Sequence, residues 1–274
     1  MTSVKNALEA RQNKEYVSAL TELLFQLADD DFILAFRGSE WLGLAPHIEE
    51  DVAFSSITQN MMGHAFMYYQ LLEQLGEGTV DELAHERSGK KRKNAIMLEK
   101  VNGLGTYLQS PKFDWAFTVV RHYFYDVNKK IKLDCLQDCS YEPLKHAAIN
   151  IRKEQYYHLV HWETWFKQLV KAGGEAKTRM MVAVEKVWNE FDDVLSLGPR
   201  GEVMANYQLI DREDVIRQTF MNTIGDVFEN LELGPLPKLK EMKKSGRIGE
   251  HTEDLEKALA TLTEVYKKEP SSSW

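Results

Sequence analysis

Four long stretches of helical periodicity, none broken in its middle by proline, constrain this chain more than any other feature. Across residues 14–37, Tyr16, Leu20, Leu23, Leu24 and Leu27 recur at helical spacing. Gly38, Gly43 and Pro46 mark a break. A second stretch, 48–75, opens with Glu49, Glu50 and Asp51, where the helix dipole favours acids, and stops at Gly76 and Gly78. A third covers 112–138. A fourth covers 141–171 and ends at Gly173 and Gly174. At 1.5 Å per residue, each spans about 36 Å or more.

Four helices of that length are the material of a bundle. The connection between the second and third, about 35 residues, is long enough to run the length of a bundle and make those two helices parallel, as in a ferritin-like topology. Shorter helices are expected at 175–195, with Met181, Val184, Val187 and Trp188 on one face, at 211–231, and at 251–267, with Leu255, Leu259, Leu262 and Tyr266 in register. No alternating strand pattern of useful length and no internal repeat occurs. The expected fold is therefore all-α, a ferritin-like four-helix bundle with additional C-terminal helices. It reads as a single domain over 1–274: a polar arm at 1–13, a core bundle at 14–171 and peripheral helices at 172–274.

Composition narrows the function classes. A hydrophobic content of 43% supports a full core, and a net charge of −8 argues against a nucleic-acid surface. No run of about 18 apolar residues is available to span a membrane. Residues 1–11 hold no apolar leader segment, so a cytoplasmic protein is expected. The two cysteines, Cys135 and Cys139, sit four apart on the expected third helix, a geometry that suits a disulfide poorly, and read as reduced thiols. Phosphate-loop, dinucleotide-binding, nucleophile-elbow and zinc-ribbon patterns are absent.

The informative residues are polar groups within apolar faces. His64 follows Asn60 by four in a run of Phe, Met and Tyr, in a helix apolar nearly all round from Ala53 to Leu72 and so expected to be buried on most sides. Asp126 sits among Tyr123, Phe124, Tyr125 and Val127, and a carboxylate there needs a partner. Glu154, His158 and His161 fall on one helical face. Glu40, His64, Asp126, Glu154 and His158 together could ligate non-haem iron or manganese. The di-iron bundle pattern, however, is Glu-x-x-His twice. Three residues before His64 stands Met61, and three before His158 stands Gln155. The plainer reading is a degenerate site kept as a buried polar network, with no metal and no catalytic residue in this chain. The alternative is a stand-alone di-iron or di-manganese carboxylate oxidoreductase. Lys90, Lys91, Arg92 and Lys93 read as a solvated basic loop, with a grip on a CoA ester as a weaker alternative.

Four patches carry a family resemblance. The first is Asp29, Arg37, Glu40, Trp41, Gly43, Ala45, Pro46, Glu49, Asp51 and Ala53. The second is Gly63, His64 and Ala65. The third is Tyr123 to Asp126 with Glu154, Tyr157, His158 and Leu159. The fourth is Gly249, His251, Thr252 and Glu253, with Trp274. In that order they resemble the C subunits of the multicomponent ring 1,2-phenylacetyl-CoA epoxidase of phenylacetic acid catabolism. The longer N-terminal arm, and Asn60 where the family pattern carries an acid, depart from it. The resemblance implies a ferritin-like bundle that acts as a structural partner, without a cofactor of its own. It implies pairing as a heterotetramer with a homologous A subunit that carries the di-iron centre, alongside a reductase and small proteins. Such a chain, expressed alone, is expected to self-associate.

Overall fold

The computed structural model describes residues 3–269, so Trp274 lies outside the described residues. The chain divides into two compact units, Met1–Leu20 with Asn102–Lys243, and Thr21–Val101 with Lys244–Trp274.

In the first unit, α1 (Ala7–Ala10) is capped by the Asn6 side chain, which accepts from the Glu9 amide. The arm before it is tied down: the Val4 amide donates to Ser140 O at 2.8 Å, and Val4 O accepts from the Glu142 amide at 3.0 Å. The helix α2 (Lys14–Ser39) begins here, and its residues from Thr21 onward belong to the second unit.

The third long stretch starts later than its periodicity suggests. Residues 103–113 form a hairpin, β1 (Gly103–Thr106) against β2 (Gln109–Phe113), antiparallel and irregular between Leu104 and Thr106. No alternating pattern announces it, because its geometry rests on backbone: Gly105 takes φ +79°, and a Cβ there would meet Ser110 O at 2.3 Å. Asp114 then caps the helix that follows by accepting from the Phe117 amide.

The central element of this unit is α5 (Trp115–Cys135), buried nearly all round. Its sequence does not look like a fully buried helix, since Arg121, His122, Asp126, Asn128, Lys129 and Lys132 are all buried with it. A 3₁₀ turn at Leu136–Asp138 ends the helix, so Cys139 lies beyond it rather than one helical turn from Cys135. Both cysteines are free thiols, and burial first of all pushes each up to about 12. The chain then turns back into α6 (Glu142–Lys171), with Pro143 in its first turn. Its buried line, Leu144, Ala148, Ile151, Gln155, His158, Trp162, Phe166 and Val170, packs on α5.

Helices α7 (Gly174–Trp188), α8 (Asp192–Leu195), α9 (Gly201–Asn206) and α10 (Glu213–Asn230) complete the unit, with α7 and α10 against α5. The expected 175–195 helix is thus broken after Trp188. Phe124 sits at the centre of an aromatic cluster, with ring centroids 5.8 Å from both Trp188 and Phe191, and Phe191 stacks on Phe220 at 5.1 Å.

In the second unit, α3 (Ile48–Gln74) follows a turn through Gly43 at φ +76° and is capped by His47, whose ring accepts from the Glu50 amide at 3.3 Å. It is not buried on most sides. One line, Phe54, Ile57, Met61, His64, Ala65, Tyr68 and Leu72, faces the core, while Val52, Phe66 and Met67 are exposed. The remaining helices are α4 (Ile96–Glu99), α11 (Glu253–Leu262) and α12 (Glu264–Lys268), the last two dividing the expected 251–267 helix. Among the described residues, no helix is long and apolar enough to cross a membrane. The long helices and single small hairpin make this an all-α chain, consistent with the ferritin-like class.

Candidate functional site

In the first unit, helical spacing turns His122, Asp126 and Lys129 of α5 inward, and Gln155, His158 and Trp162 of α6. His122 Nδ1 lies 2.8 Å from Thr118 O, an acceptor only, so Nδ1 carries the proton. The His122 ring packs on the indole of Trp162 with centroids 4.7 Å apart. Burial, reinforced by the Arg121 charge, pushes His122 well below the usual histidine range. Burial, followed by the charges of Lys129 and His161, lowers His158 to about 3. Both rings are neutral at neutral pH. The Lys129 ammonium is itself buried, 6.0 Å from the Tyr125 ring centroid.

Glu154 departs from its expected place. It is exposed, and Gln155 takes the buried position beside His158. One residue along a helix is a turn of about 100°, enough to exchange a core face for solvent. The group aligned with His158 is thus an amide, and both of its polar atoms are buried without a hydrogen-bond partner among the described residues.

In the second unit, the residues carrying the family resemblance hold the chain's own segments together. Glu40 accepts from Arg37 Nη1 at 2.8 Å. Arg37 also donates to Glu99 O and to Asp254 O, each at 2.9 Å. Asp29 is fully buried and accepts from Tyr69 Oη at 2.6 Å, from Arg92 Nη1 at 3.3 Å, from the Lys93 amide at 2.8 Å and from Arg87. Burial acts to raise its carboxyl, but the Arg87 and Arg92 charges outweigh it and hold Asp29 at about 2. Arg92 is therefore no part of a solvated basic loop; it is fully buried, and Lys93 donates to Arg247 O at 2.9 Å.

Arg247 and Glu99, which sequence reasoning missed, complete this arrangement together with His251 and Thr252 of the fourth resemblance patch. Arg247 forks onto both oxygens of Asp30, at 2.8 Å each. Glu99 accepts from the Thr252 amide at 2.6 Å, Thr252 Oγ1 at 2.8 Å and Asn94 Nδ2 at 2.9 Å. His251 places Nδ1 2.7 Å from Glu99 Oε2 and Nε2 3.0 Å from Arg92 O. With an acceptor before each nitrogen, the ring is held as imidazolium. Burial alone would lower His251, but the Glu99 carboxylate raises it overall. Gly249 at φ +81° lets this segment approach the 90–94 backbone, since a Cβ there would meet Lys90 O at 2.3 Å. His64 lies buried on the core face of α3, between Met61 and Tyr68.

The donor set does not suit a di-iron centre. Glu-x-x-His is Met61 with His64 in one unit and Gln155 with His158 in the other. The Lys129 charge, which adds to burial in depressing His158, disfavours a second cation beside that ring. Among the described residues, no three His, Cys, Asp or Glu side chains are grouped as a metal ion requires.

Two comparisons with known proteins bear on this arrangement. The chain is 24% identical over 261 residues to the C subunit of the 1,2-phenylacetyl-CoA epoxidase of Escherichia coli (strain K12), covering 94% of this chain and 100% of that protein. A family model described as phenylacetic acid catabolic protein matches residues 1–274. The chain belongs to the phenylacetic acid catabolic protein family.

Proposed function

We propose that this chain is a non-catalytic structural subunit of a bacterial phenylacetyl-CoA epoxidase, pairing with a homologous di-iron subunit that carries out the oxidation. The observation that carries the reading is the α5–α6 face. Gln155 stands where the bundle pattern calls for a carboxylate, and burial, reinforced by the Lys129 charge, lowers His158. A bundle with this interior keeps the shape of a metal-binding helix set and lacks its ligands. The similarity to the C subunit of an epoxidase along nearly its whole length supports the same role.

A structural subunit also needs a surface to give to its partner. On α3, Val52, Phe66 and Met67 are exposed, with Phe66 49% accessible. Apolar side chains collected on one long helix suit an obligate interface, which is more core-like than ordinary surface. The test is reconstitution. The chain is purified with and without the di-iron subunit of its own epoxidase and assayed for oxygen-dependent conversion of phenylacetyl-CoA in the presence of the reductase. The reading expects no turnover by this chain alone and turnover by the pair. Turnover by this chain with reductase alone overturns it, as does a di-iron subunit that is fully active without it.

A further inference from the structure

The second unit holds an aromatic contact that lies outside the role of a structural partner. Residues Glu82–Glu86 form a π-helical turn that ends in His85 and Glu86. Against it lies α12, in which Glu264, Val265, Lys267 and Lys268 are exposed and only Tyr266 is half-buried. The Tyr266 ring stacks on the His85 imidazole, with centroids 5.0 Å apart and planes 24° from parallel. Tyr266 Oη also donates to Glu86 Oε1 at 3.0 Å. We propose that His85 is a proton-operated latch for α12: the helix docks on the neutral imidazole and detaches when the ring is protonated.

Geometry sets the direction. The buried Phe32 of α2 meets the same imidazole edge-on, with centroids 6.0 Å apart, so the ring has an aromatic group on two sides. Its Nδ1 is sealed from water and has no hydrogen-bond partner among the described residues. A neutral imidazole tolerates this by carrying its proton on Nε2. The imidazolium must place a second N–H at Nδ1, where nothing accepts it. That is a cost which lifting Tyr266 off the ring relieves by admitting water. The charged groups nearby do not reverse the sign. Asp81, on the same element, favours the imidazolium, and Arg92 opposes it. Glu82 is turned to Thr79, accepting from its amide at 2.7 Å and its hydroxyl at 3.0 Å, and Glu86 is engaged by Tyr266. On α2 the contact is the uncharged Phe32, and Asp29, one turn earlier, is already paired with Arg87 and Arg92. Burial outweighs Asp81 and leaves His85 below the ordinary 6.5. The undocked ring therefore binds the proton more tightly, and docking is full above pH 6.5 and is lost as pH falls below it. Helix α11 does not follow. Its Leu255, Ala258 and Leu259 are buried, and His251, which fixes the segment before it on Glu99, holds its proton more fully as pH falls. Detachment is thus confined to the residues after Thr263.

The test is an NMR titration of the full chain, labelled with ¹³C in its histidine and tyrosine rings, from about pH 7.5 to about pH 5.5, where free carboxylates stay ionised. The Tyr266 ring signals, assigned with Tyr266→Phe, are expected to move from a stacked position to that of a free tyrosine. Their midpoint should coincide with that of the His85 ring and lie below 6.5. In Tyr266→Ala the His85 midpoint should rise towards 6.5, because the stacked ring no longer covers it. In His85→Phe, which keeps an aromatic face and carries no proton, the Tyr266 signals should not change with pH over this window. The proposal is overturned if the Tyr266 signals do not follow the titration of His85, or if Tyr266→Ala leaves the His85 midpoint where it was. It is equally overturned if His85→Phe still releases Tyr266 on acidification, which would assign the release to Asp81, Glu82 and Glu86. Should His85→Phe fail to fold, the Tyr266→Ala midpoint decides alone.

Discussion

Arg247 and Asp30 meet through two hydrogen bonds of 2.8 Å, both side chains buried, across 217 residues of sequence. The pair fastens the segment after Lys244 to the helix that opens the second unit. Removing one partner leaves an uncompensated buried charge, which costs more than the pair contributes. Arg247→Met is expected to lower stability by roughly 3–5 kcal/mol in urea unfolding. Limited proteolysis of the variant should cut first within residues 244–269. Unchanged cutting there would show that the segment is held by its apolar contacts alone.

Asp29 gives the acid limb of stability a specific source. Its carboxyl lies at about 2 in the folded chain against an ordinary 3.8, so its contribution is present above pH 3.8 and is lost as pH falls towards 2. Asp29→Asn is expected to be less stable at neutral pH and to show a flatter decline across that window. A decline parallel to that of the parent would assign the acid limb to other groups.

Two histidines act in opposite directions. His158 falls from 6.5 to about 3 on folding, so the unfolded chain binds the extra proton and stability drops as pH goes below 6.5. His251 is raised, so its contribution is full below 6.5 and fades as pH rises through its folded value. Histidine-selective NMR should find His251 still protonated where free histidine is neutral, and His158 neutral under mildly acidic conditions. His158→Phe should remove part of the loss between pH 6.5 and 3, while His251→Gln should remove the decline on the alkaline side.

Much of this fold could be read from periodicity and breakers. The long helices appear close to where leucine spacing and Gly38, Gly76 and Gly173 put them, because those signals are local. Three things were not readable. The hairpin depends on the backbone freedom of Gly105, which leaves no apolar alternation. The inward position of Gln155 instead of Glu154 is a single-residue rotation, finer than a helical face can be resolved by eye. The burial of Arg92 and Arg247 depends on partners at Asp29 and Asp30, far away in sequence, and basic residues in a run otherwise read as solvent-facing. Of the residues in the resemblance patches, Asp29, Arg37 and His251 bond segments far apart in sequence, while Glu40 pairs with Arg37 three residues before it.

The exposed face of α3 gives the proposed pairing a residue-level test. Phe66→Asp places a charge on that face without entering the core, since Phe66 is 49% exposed. Association with the di-iron subunit, followed by analytical ultracentrifugation, is expected to weaken by at least about tenfold. The far-UV spectrum should stay unchanged. Full-strength association would move the interface to another surface.

The central claim is that this chain has a metal-type helix framework without a metal site. Iron, manganese and zinc should be measured per chain after purification under metal-replete conditions, first alone and then in complex with the di-iron subunit. The account predicts almost none alone, with iron appearing only in the complex. About two metal ions bound to the isolated chain, lost together on His158→Phe, would contradict it and make this a di-metal protein in its own right.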